Sequence, residues 1–237
     1  MNRRKNHDGH RLVIFSPHLD DAAYDVCDHI TLWKLQGWNI EIVTVFTGFG
    51  NGPVSRDARI SMGTLSFSPQ QFEAVRKNED IRAMKELGVP FRHLNFIDAC
   101  FRVYKGVLIY PDFRTKDLGR IHKQDHRLLV KLEKIMDRFS TADRIYVPMG
   151  IGGHVDHIIV RTVAQKVFSP QKLGYYVDFP YALSFKNWRP SHFVTALIRK
   201  KSVIQYSERK WSICLNYETQ TPMMFSQKPH FPETVFE

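Results

Sequence analysis

The stretch SPHLDD, residues 16–21, follows a short apolar run, RLVIF at residues 11–15. An uninterrupted apolar run of this length is typical of a central strand in a parallel sheet. From residue 21 to residue 36 apolar side chains recur at helical spacing, and Gly37 then ends the pattern. The sequence therefore predicts a strand, a tight polar turn and a helix, with one imidazole and two carboxylates in the turn.

A second polar cluster, GHVDH at residues 153–157, has the same setting. It follows a predicted strand at residues 144–147, and a predicted helix covers residues 155–168. Ligands in open α/β sheets bind outside the carboxyl ends of the strands, so we expect the two clusters to meet in space. Together they supply enough histidine and aspartate for a metal ion and an acid–base pair.

The remaining elements continue an alternation of strands and helices, which predicts a three-layer α/β/α, Rossmann-like fold with a mainly parallel sheet. Strands are predicted at residues 40–46, 93–97 and 172–177, and helices at residues 69–87, capped by Ser68, and 125–139. Residues 48–69 and 99–124 are predicted to be irregular, and a helical segment is predicted around residues 193–206. The length favours one domain over residues 1–237, with a flexible basic N-terminus at 1–10 and a C-terminal extension at 184–237.

The composition limits the classes of protein that this chain can belong to. The formal net charge is +10, but the basic residues are spread along the chain and no nucleic-acid-binding signature accompanies them. We therefore expect a solvated basic surface and no nucleic-acid partner.

No apolar stretch is long enough to span a membrane, and no signal peptide is recognisable. Three scattered cysteines without a CxxC pair favour reduced thiols in the cytoplasm. Oligomeric state is left open.

Histidine and aspartate in these two turns suggest a catalytic metal site. His18, one of the two aspartates and an imidazole from the second cluster would form a His₂Asp set. Three protein ligands with a fourth position left for water are typical of catalytic zinc sites. Asp20 and Asp21 are neighbours whose side chains diverge, so one could bind metal while the other handles a proton. Each cluster alone could also be a polar helix start in which a side chain caps backbone amides.

The two clusters also carry a family resemblance. SPHLDDA at residues 16–22 and GHVDH at residues 153–157 resemble motifs of the LmbE-like (PIG-L) family of zinc-dependent N-acetylglucosaminyl deacetylases. Residues 76–89, NFIDA at residues 95–99 and YVDFPY at residues 176–181 resemble further parts of that family in the same order. Leu19 stands where proline is frequent in the family, and Ala22 stands where glutamate is frequent. Neither position is a ligand, but the differences weaken any transfer of a particular sugar substrate.

The resemblance implies a role for each residue of the two clusters. It makes His18, Asp21 and His157 the ligands of one Zn²⁺ ion, or of another divalent transition metal. It makes Asp20 the general base, and His154 a general acid or a stabiliser of the tetrahedral oxyanion. The implied reaction is hydrolysis that removes an acetyl group from the amide nitrogen of an N-acetylated amino sugar or its conjugate.

Four further residues receive supporting roles from the same resemblance. Asp156 would orient one of the histidines from behind the ligands. Arg76, Asp98 and Asp178 are candidates for contacts with the sugar substrate. Their positions are equally compatible with simpler roles. Arg76 could be an arginine on the surface of a helix, Asp98 an aspartate in a turn at a strand end, and Asp178 part of the pocket wall.

Two other classes of protein can be weighed against this hypothesis. A nucleotide-dependent enzyme on a doubly wound sheet needs a glycine-rich turn after its first strand, and the turn at residues 17–21 has no glycine. The glycine-rich run at residues 48–52 opens a long loop instead of a helix. A non-enzymatic basic module that binds nucleic acid or a phosphorylated partner stays possible because of the net charge. The identity of the sugar is not indicated by any motif.

Overall fold

The computed structural model describes residues 9–63, 67–111, 119–184, 201–225 and 232–237. The strands are β1 Arg11–Ser16, β2 Asn39–Thr44, β3 Phe91–His93, β4 Val103–Tyr104, β5 Val107–Leu108, β6 Arg144–Pro148, β7 Leu173–Tyr176, β8 Lys201–Ile204 and β9 Glu233–Phe236. The α-helices are α1 Asp21–Leu35, α2 Arg56–Gly63, α3 Pro69–Leu87, α4 His126–Asp137, α5 Val155–Val167, α6 Tyr181–Ser184, α7 Glu208–Cys214 and α8 Thr221–Met224. Short 3₁₀ turns cover Ala99–Phe101, Lys123–Asp125 and Ile151–Gly153.

Seven strands form one sheet in the order β3-β2-β1-β6-β7-β9-β8. The strands from β3 to β7 pair in parallel, and β9 pairs antiparallel with both β7 and β8. The remaining two strands, β4 and β5, form a separate antiparallel hairpin. The mainly parallel sheet predicted from the sequence is therefore confirmed, with an antiparallel edge contributed by the C-terminal part of the chain.

Successive side chains of β1 point to opposite faces of the sheet, and each face packs against its own layer of helices. The fold therefore has two hydrophobic cores, one on each side of the sheet. Leu12 and Ile14 pack in one cluster with side chains of α1, α3 and α7. Val13 and Phe15 pack on the opposite face with side chains of α4 and α5. Because successive strand residues point to opposite faces, one continuous apolar run can supply both cores. The prediction of helices on both sides of the sheet is confirmed.

Helix α3 shows how local sequence sets the ends of an element. The side chain of Ser68 accepts a hydrogen bond from the Gln71 amide at 3.3 Å, and the Gln71 side chain accepts one from the Ser68 amide at 2.9 Å. This reciprocal capping box satisfies backbone donors that the first helical turn leaves free. Gly88 ends the helix with a φ of 68°, a left-handed conformation that favours glycine.

Three expectations from the sequence are wrong in part. The stretch at residues 48–69 contains helix α2, which Ser55 caps by accepting from the Ala58 amide at 3.1 Å. The third strand covers Phe91–His93 instead of residues 93–97, because Asn95 adopts a φ of 58° and interrupts the extended chain. In the tail, Lys201–Ile204 is strand β8 and not helix, since it pairs with β9. Residues 193–200 of that expected helix lie outside the described residues, as do residues 1–8 of the expected flexible N-terminus.

The strand order brings the two polar clusters together. From β1 the chain proceeds to β2 and β3 on one side of the sheet, and it later returns to β6 and β7 on the other side. The topological switch point therefore lies between β1 and β6, where ligands bind in folds of this type. The turn after β1 carries residues 16–21, and the turn after β6 carries residues 153–157. Among the helices that the structure describes, none is long and apolar enough to cross a membrane.

Candidate metal and catalytic site

The turn after β1 is held by its own side chains. Ser16 Oγ donates to the His18 carbonyl at 2.8 Å and accepts from the Ala22 amide at 3.1 Å. The His18 amide donates to Asp21 Oδ2 at 2.8 Å. Asp20 occupies the N-cap position of α1, yet its side chain makes no capping hydrogen bond. A simple helix cap therefore does not explain why a carboxylate stands at position 20.

Three ligand-type atoms from the two clusters form a nearly equilateral triangle. His18 Nδ1 lies 3.2 Å from Asp21 Oδ2, His157 Nε2 lies 3.3 Å from the same oxygen, and the two nitrogens are 3.3 Å apart. Ligands bound to tetrahedral zinc at its usual distances are about 3.3 Å from one another. Two imidazoles and one carboxylate are also a donor set that suits zinc. The triangle therefore fits one face of a tetrahedral metal site and leaves one position open.

A second group of ligand-type atoms is less suited to a cation. His18, Asp98 and Asp156 each offer an atom within 4.8 Å of the others. However, Asp156 Oδ1 already accepts a hydrogen bond from the guanidinium of Arg102. A metal ion here would lie beside that positive charge, so electrostatics favour the triangle that contains Asp21.

Each histidine of the triangle is oriented by a carboxylate on its other nitrogen. His18 Nε2 lies 3.2 Å from Asp156 Oδ2, and His157 Nδ1 lies 2.5 Å from Asp178 Oδ1. Such partners hold the proton on the outer nitrogen and leave the inner nitrogen to bind metal. Asp156 thus lies where the sequence places an orienting residue, directly behind His18.

The charges of the triangle compensate one another. Burial lowers the pKa of His18 and of His157, but hydrogen bonds and charge from the surrounding aspartates outweigh it, so both pKa values are raised. Burial raises the pKa of Asp21, yet the nearby His157 and His18 hold it below its usual range. Protons on the imidazoles therefore balance the carboxylate charge, and a bound cation would displace them.

Asp178 has no exposed surface. One of its oxygens meets His157, and the other accepts from the Ile151 amide at 2.9 Å. Both oxygens are therefore occupied behind the triangle. Asp178, which the sequence analysis names as a candidate for a substrate contact, thus lies fully buried behind His157.

Asp20 lies beside the triangle in a separate ion-pair cluster. Arg76 Nη2 is 3.2 Å from Asp20 Oδ2, and Arg76 Nη1 is 3.6 Å from Glu79 Oε2. Glu79 in turn accepts from the amide and the hydroxyl of Thr219, both at 2.7 Å. Burial lowers the pKa of Arg76, but Asp20 and Glu79 outweigh it and raise that pKa. The C-terminal part of the chain therefore supports Asp20 through contacts that the sequence did not reveal.

His154 is the N-cap residue of α5, and its Nδ1 accepts from the Asp156 amide at 3.2 Å. The proton of the neutral ring therefore sits on Nε2. Burial and the positive charge of His18 hold the pKa of His154 well below its usual value. A neutral imidazole with a proton on Nε2 can donate a hydrogen bond, which is the chemistry of an oxyanion stabiliser.

One cavity of about 150 Å³ is lined by His18, Asp20, Asp21 and His154, together with Asp98 and Arg76. Asp98 Oδ2 lies 3.6 Å from His18 Nε2, and its side chain is partly exposed. The lining also contains Phe49 and Phe101, whose rings stack with centroids 4.4 Å apart. A cavity lined by aromatic side chains and a few polar groups is typical of small-molecule sites. Gln220 and Met224 also reach the cavity, and no sequence motif pointed to them.

Fold and site together define a class of protein. It is a Rossmann-like α/β protein with a His₂Asp metal-type site at the switch point of its sheet, and a carboxylate and an imidazole in the same cavity. A family model described as "PIG-L: GlcNAc-PI de-N-acetylase" matches residues 13–168. The chain belongs to this PIG-L (LmbE-like) family.

The proteins that are similar to this chain include several deacetylases. The 2'-N-acetylparomamine deacetylase of Streptomyces fradiae is 28% identical over 178 residues, which cover 73% of this chain and 58% of that protein. A deacetylase from the biosynthesis pathway of teicoplanin is similar in structure, with a TM-score of 0.77, 22% identity and coverage of 95% of this chain and 96% of that one. The zinc-inhibited form of a teicoplanin deacetylase gives a TM-score of 0.76 at 21% identity, covering 95% and 97%. At these identities the structural likeness establishes the fold.

Proposed function

We propose that this chain is a metal-dependent N-deacetylase of amino sugars. The observation that carries the proposal is the triangle of His18, Asp21 and His157, with edges of 3.2 to 3.3 Å. Two of its members, His18 and Asp21, line the same cavity as Asp20 and His154. Membership of the PIG-L family and the amino-sugar deacetylases among the similar proteins support the same reaction.

One Zn²⁺ ion, or another divalent transition metal, would be held by His18 Nδ1, Asp21 Oδ2 and His157 Nε2. When bound, such an ion would polarise an amide carbonyl and lower the pKa of a water molecule. The two imidazoles keep their bonding nitrogens aimed at this point because Asp156 and Asp178 occupy the other nitrogens.

The protein's own groups would move the protons. Asp20 accepts the proton of the attacking water, and the guanidinium of Arg76 lies 3.2 Å from one of its oxygens. The Nε2–H group of His154 donates to the carbonyl oxygen as negative charge develops there. Asp20 then returns its proton to the nitrogen, and the C–N bond breaks to give the amine and acetic acid. The proton of the acetic acid passes to the amine, so ammonium and acetate leave and the reaction balances without another proton donor.

The cavity supports an N-acetylated amino sugar as the substrate class. The polar side can meet the amide and the sugar hydroxyls, and the stacked rings of Phe49 and Phe101 offer an apolar face. The similar deacetylases are named for paromamine and teicoplanin. We infer that the substrate is an N-acetylated amino sugar, either free or attached to a larger natural product.

A substrate panel tests the proposal directly. Purified protein is loaded with one equivalent of Zn²⁺ and assayed for acetate release from N-acetylglucosamine, 2'-N-acetylparomamine and an N-acetylglucosaminyl lipid. We expect release from at least one compound, loss of release after chelation and recovery when Zn²⁺ is restored. Absence of release from every compound, together with tight and salt-sensitive polynucleotide binding, would instead establish a basic binding module. The family and the similar proteins do not favour that alternative.

A further inference from the structure

Arg102 lies directly after the 3₁₀ turn Ala99–Phe101, and only 5% of its surface is exposed. Its guanidinium carbon is 5.2 Å from the ring centroid of Phe46 and 5.0 Å from that of Tyr110. Both distances are within the range of cation–π contacts. A full positive charge is therefore held in a buried place with a defined orientation.

The guanidinium joins two buried carboxylates. Nη1 donates to Asp125 Oδ2 at 3.1 Å, and Nη2 donates to Asp156 Oδ1. The same oxygen of Asp125 also accepts a hydrogen bond from the hydroxyl of Tyr110, at 2.6 Å. Arginine suits this arrangement because its planar fork presents several donors in fixed directions. The fork thus connects the segment before α4 with the start of α5.

Asp156 is fixed at both oxygens. Arg102 binds Oδ1, while Oδ2 accepts from the Ala99 amide at 2.9 Å and meets His18 Nε2 at 3.2 Å. The carboxylate cannot rotate without breaking a bond at one oxygen or the other. The ring of His18 is thereby held with Nδ1 towards Asp21.

We propose that Arg102 is a positioning residue of the metal site, which acts on the ligand His18 through Asp156. The identity of His18 as a ligand rests on the proposed function. Asp178, the matching partner of His157, receives a backbone hydrogen bond from Ile151 and, among the described residues, no arginine hydrogen bond. The carboxylate behind His18 is therefore held by an arginine, whereas the carboxylate behind His157 is held by a backbone amide. His18 depends on the guanidinium of Arg102, a residue outside the motifs named above.

Three variants separate positioning from general stabilisation. Arg102→Met keeps an unbranched apolar chain against the aromatic rings but removes both ion pairs. Arg102→Lys keeps the charge without the fork. Arg92→Met is the matched control, because Arg92 also packs over a ring, that of Phe139 at 5.3 Å, and pairs with Glu41 on an exposed part of the sheet.

Two measurements are made on each variant. Zn²⁺ affinity is obtained by competition with a chelating dye, and the ¹⁵N signals of the His18 ring are recorded in the metal-free protein. We expect Arg102→Met to weaken Zn²⁺ binding about 10- to 100-fold, the usual effect of losing a group that supports a ligand. The His18 ring signals should shift and broaden, because Asp156 loses its fixed position and the ring that contacts it at 3.2 Å can change its orientation. Arg102→Lys should recover part of both changes, and Arg92→Met should match the wild type.

A folded Arg102→Met variant with unchanged Zn²⁺ affinity and unchanged His18 signals would overturn the inference. If that variant does not fold, the same two measurements are made on Arg102→Lys. Unchanged Zn²⁺ affinity and unchanged His18 signals in that variant would likewise overturn the inference. If the wild type binds no Zn²⁺, the proposed function fails. The His18 ring signals in the metal-free protein then decide separately whether Arg102 positions this imidazole.

Discussion

Replacing Asp20 with asparagine separates proton transfer from metal binding. The carboxylate is 4% exposed, lines the cavity and contacts Arg76 at 3.2 Å, but it is not part of the ligand triangle. Asparagine has nearly the same shape and cannot accept a proton at neutral pH. We therefore expect the variant to bind Zn²⁺ normally and to lose most of its turnover.

The size of the effect follows from the role and the contacts of Asp20. Loss of a general base lowers kcat about 10²- to 10⁴-fold, or about 2.7 to 5.4 kcal/mol of transition-state stabilisation. The effect of the substitution on the free energy of unfolding should be smaller. Arg76 keeps Glu79 at 3.6 Å, so the substitution removes one of two carboxylates from a buried guanidinium. We expect the free energy of unfolding to fall by about 1 to 3 kcal/mol.

The assay compares acetate release at saturating substrate with Zn²⁺ stoichiometry and a urea unfolding curve. Asp28→Asn is the matched control, because it makes the same substitution in the same helix where the carboxylate binds Ser207 instead of the cavity residues. The control should keep its turnover. Full turnover of Asp20→Asn with normal metal content would refute the base assignment, and loss of metal would show that Asp20 is a ligand.

Four further predictions concern the ligands and the buried ion pairs. Asp178→Asn should weaken Zn²⁺ binding about 10- to 100-fold in a dye-competition assay, because His157 loses the carboxylate 2.5 Å from its Nδ1. Chelation should abolish acetate release, and Zn²⁺ should restore it in an add-back assay. Lys210→Met should lower the free energy of unfolding in urea by about 3 to 5 kcal/mol, because the buried Glu233 loses the ammonium that lies 2.8 Å from its Oε1 and keeps the Asp28 and His29 amides and the His29 ring as partners. Burial raises the pKa of Glu233, but Lys210 outweighs it and lowers that pKa, so its contribution is present above about pH 4.3 and is lost on acidification. The stability difference between wild type and Glu233→Gln should therefore shrink below that pH.

Local sequence was sufficient for the elements that frame the site. The apolar run of β1, the helical spacing of α1 and the Ser68 cap of α3 each reflect neighbours within a few residues, and the structure confirms all three. Helix α2 was missed because glycine, proline and serine surround it. Its stability comes from Ala58 and Met62, which pack against the aromatic cluster of Phe49 and Phe72.

The supporting residues of the site depend on contacts that no periodicity reveals. Arg102 and Asp156 are 54 positions apart, and Glu79 and Thr219 are 140 positions apart. Asp178 was recognised only as a member of a family-like stretch, so its partner His157 could not be assigned. Sequence reasoning placed the candidate ligands after β1 and β6, whereas the contacts of their outer nitrogens with Asp156 and Asp178 needed the folded chain.

The triangle also has a consequence for chain entropy. His18 and His157 are 139 positions apart, so an ion that joins them closes a very long loop. For a disulfide, a loop of this length corresponds to about 5 kcal/mol of conformational entropy removed from the unfolded chain. In the folded protein β1 already lies beside β6, so metal binding causes no further loss of this entropy. An unfolded chain would lose it when it bound the ion. Occupancy should therefore act as a reversible cross-link, and the metal-free protein should be the form that unfolds first on heating.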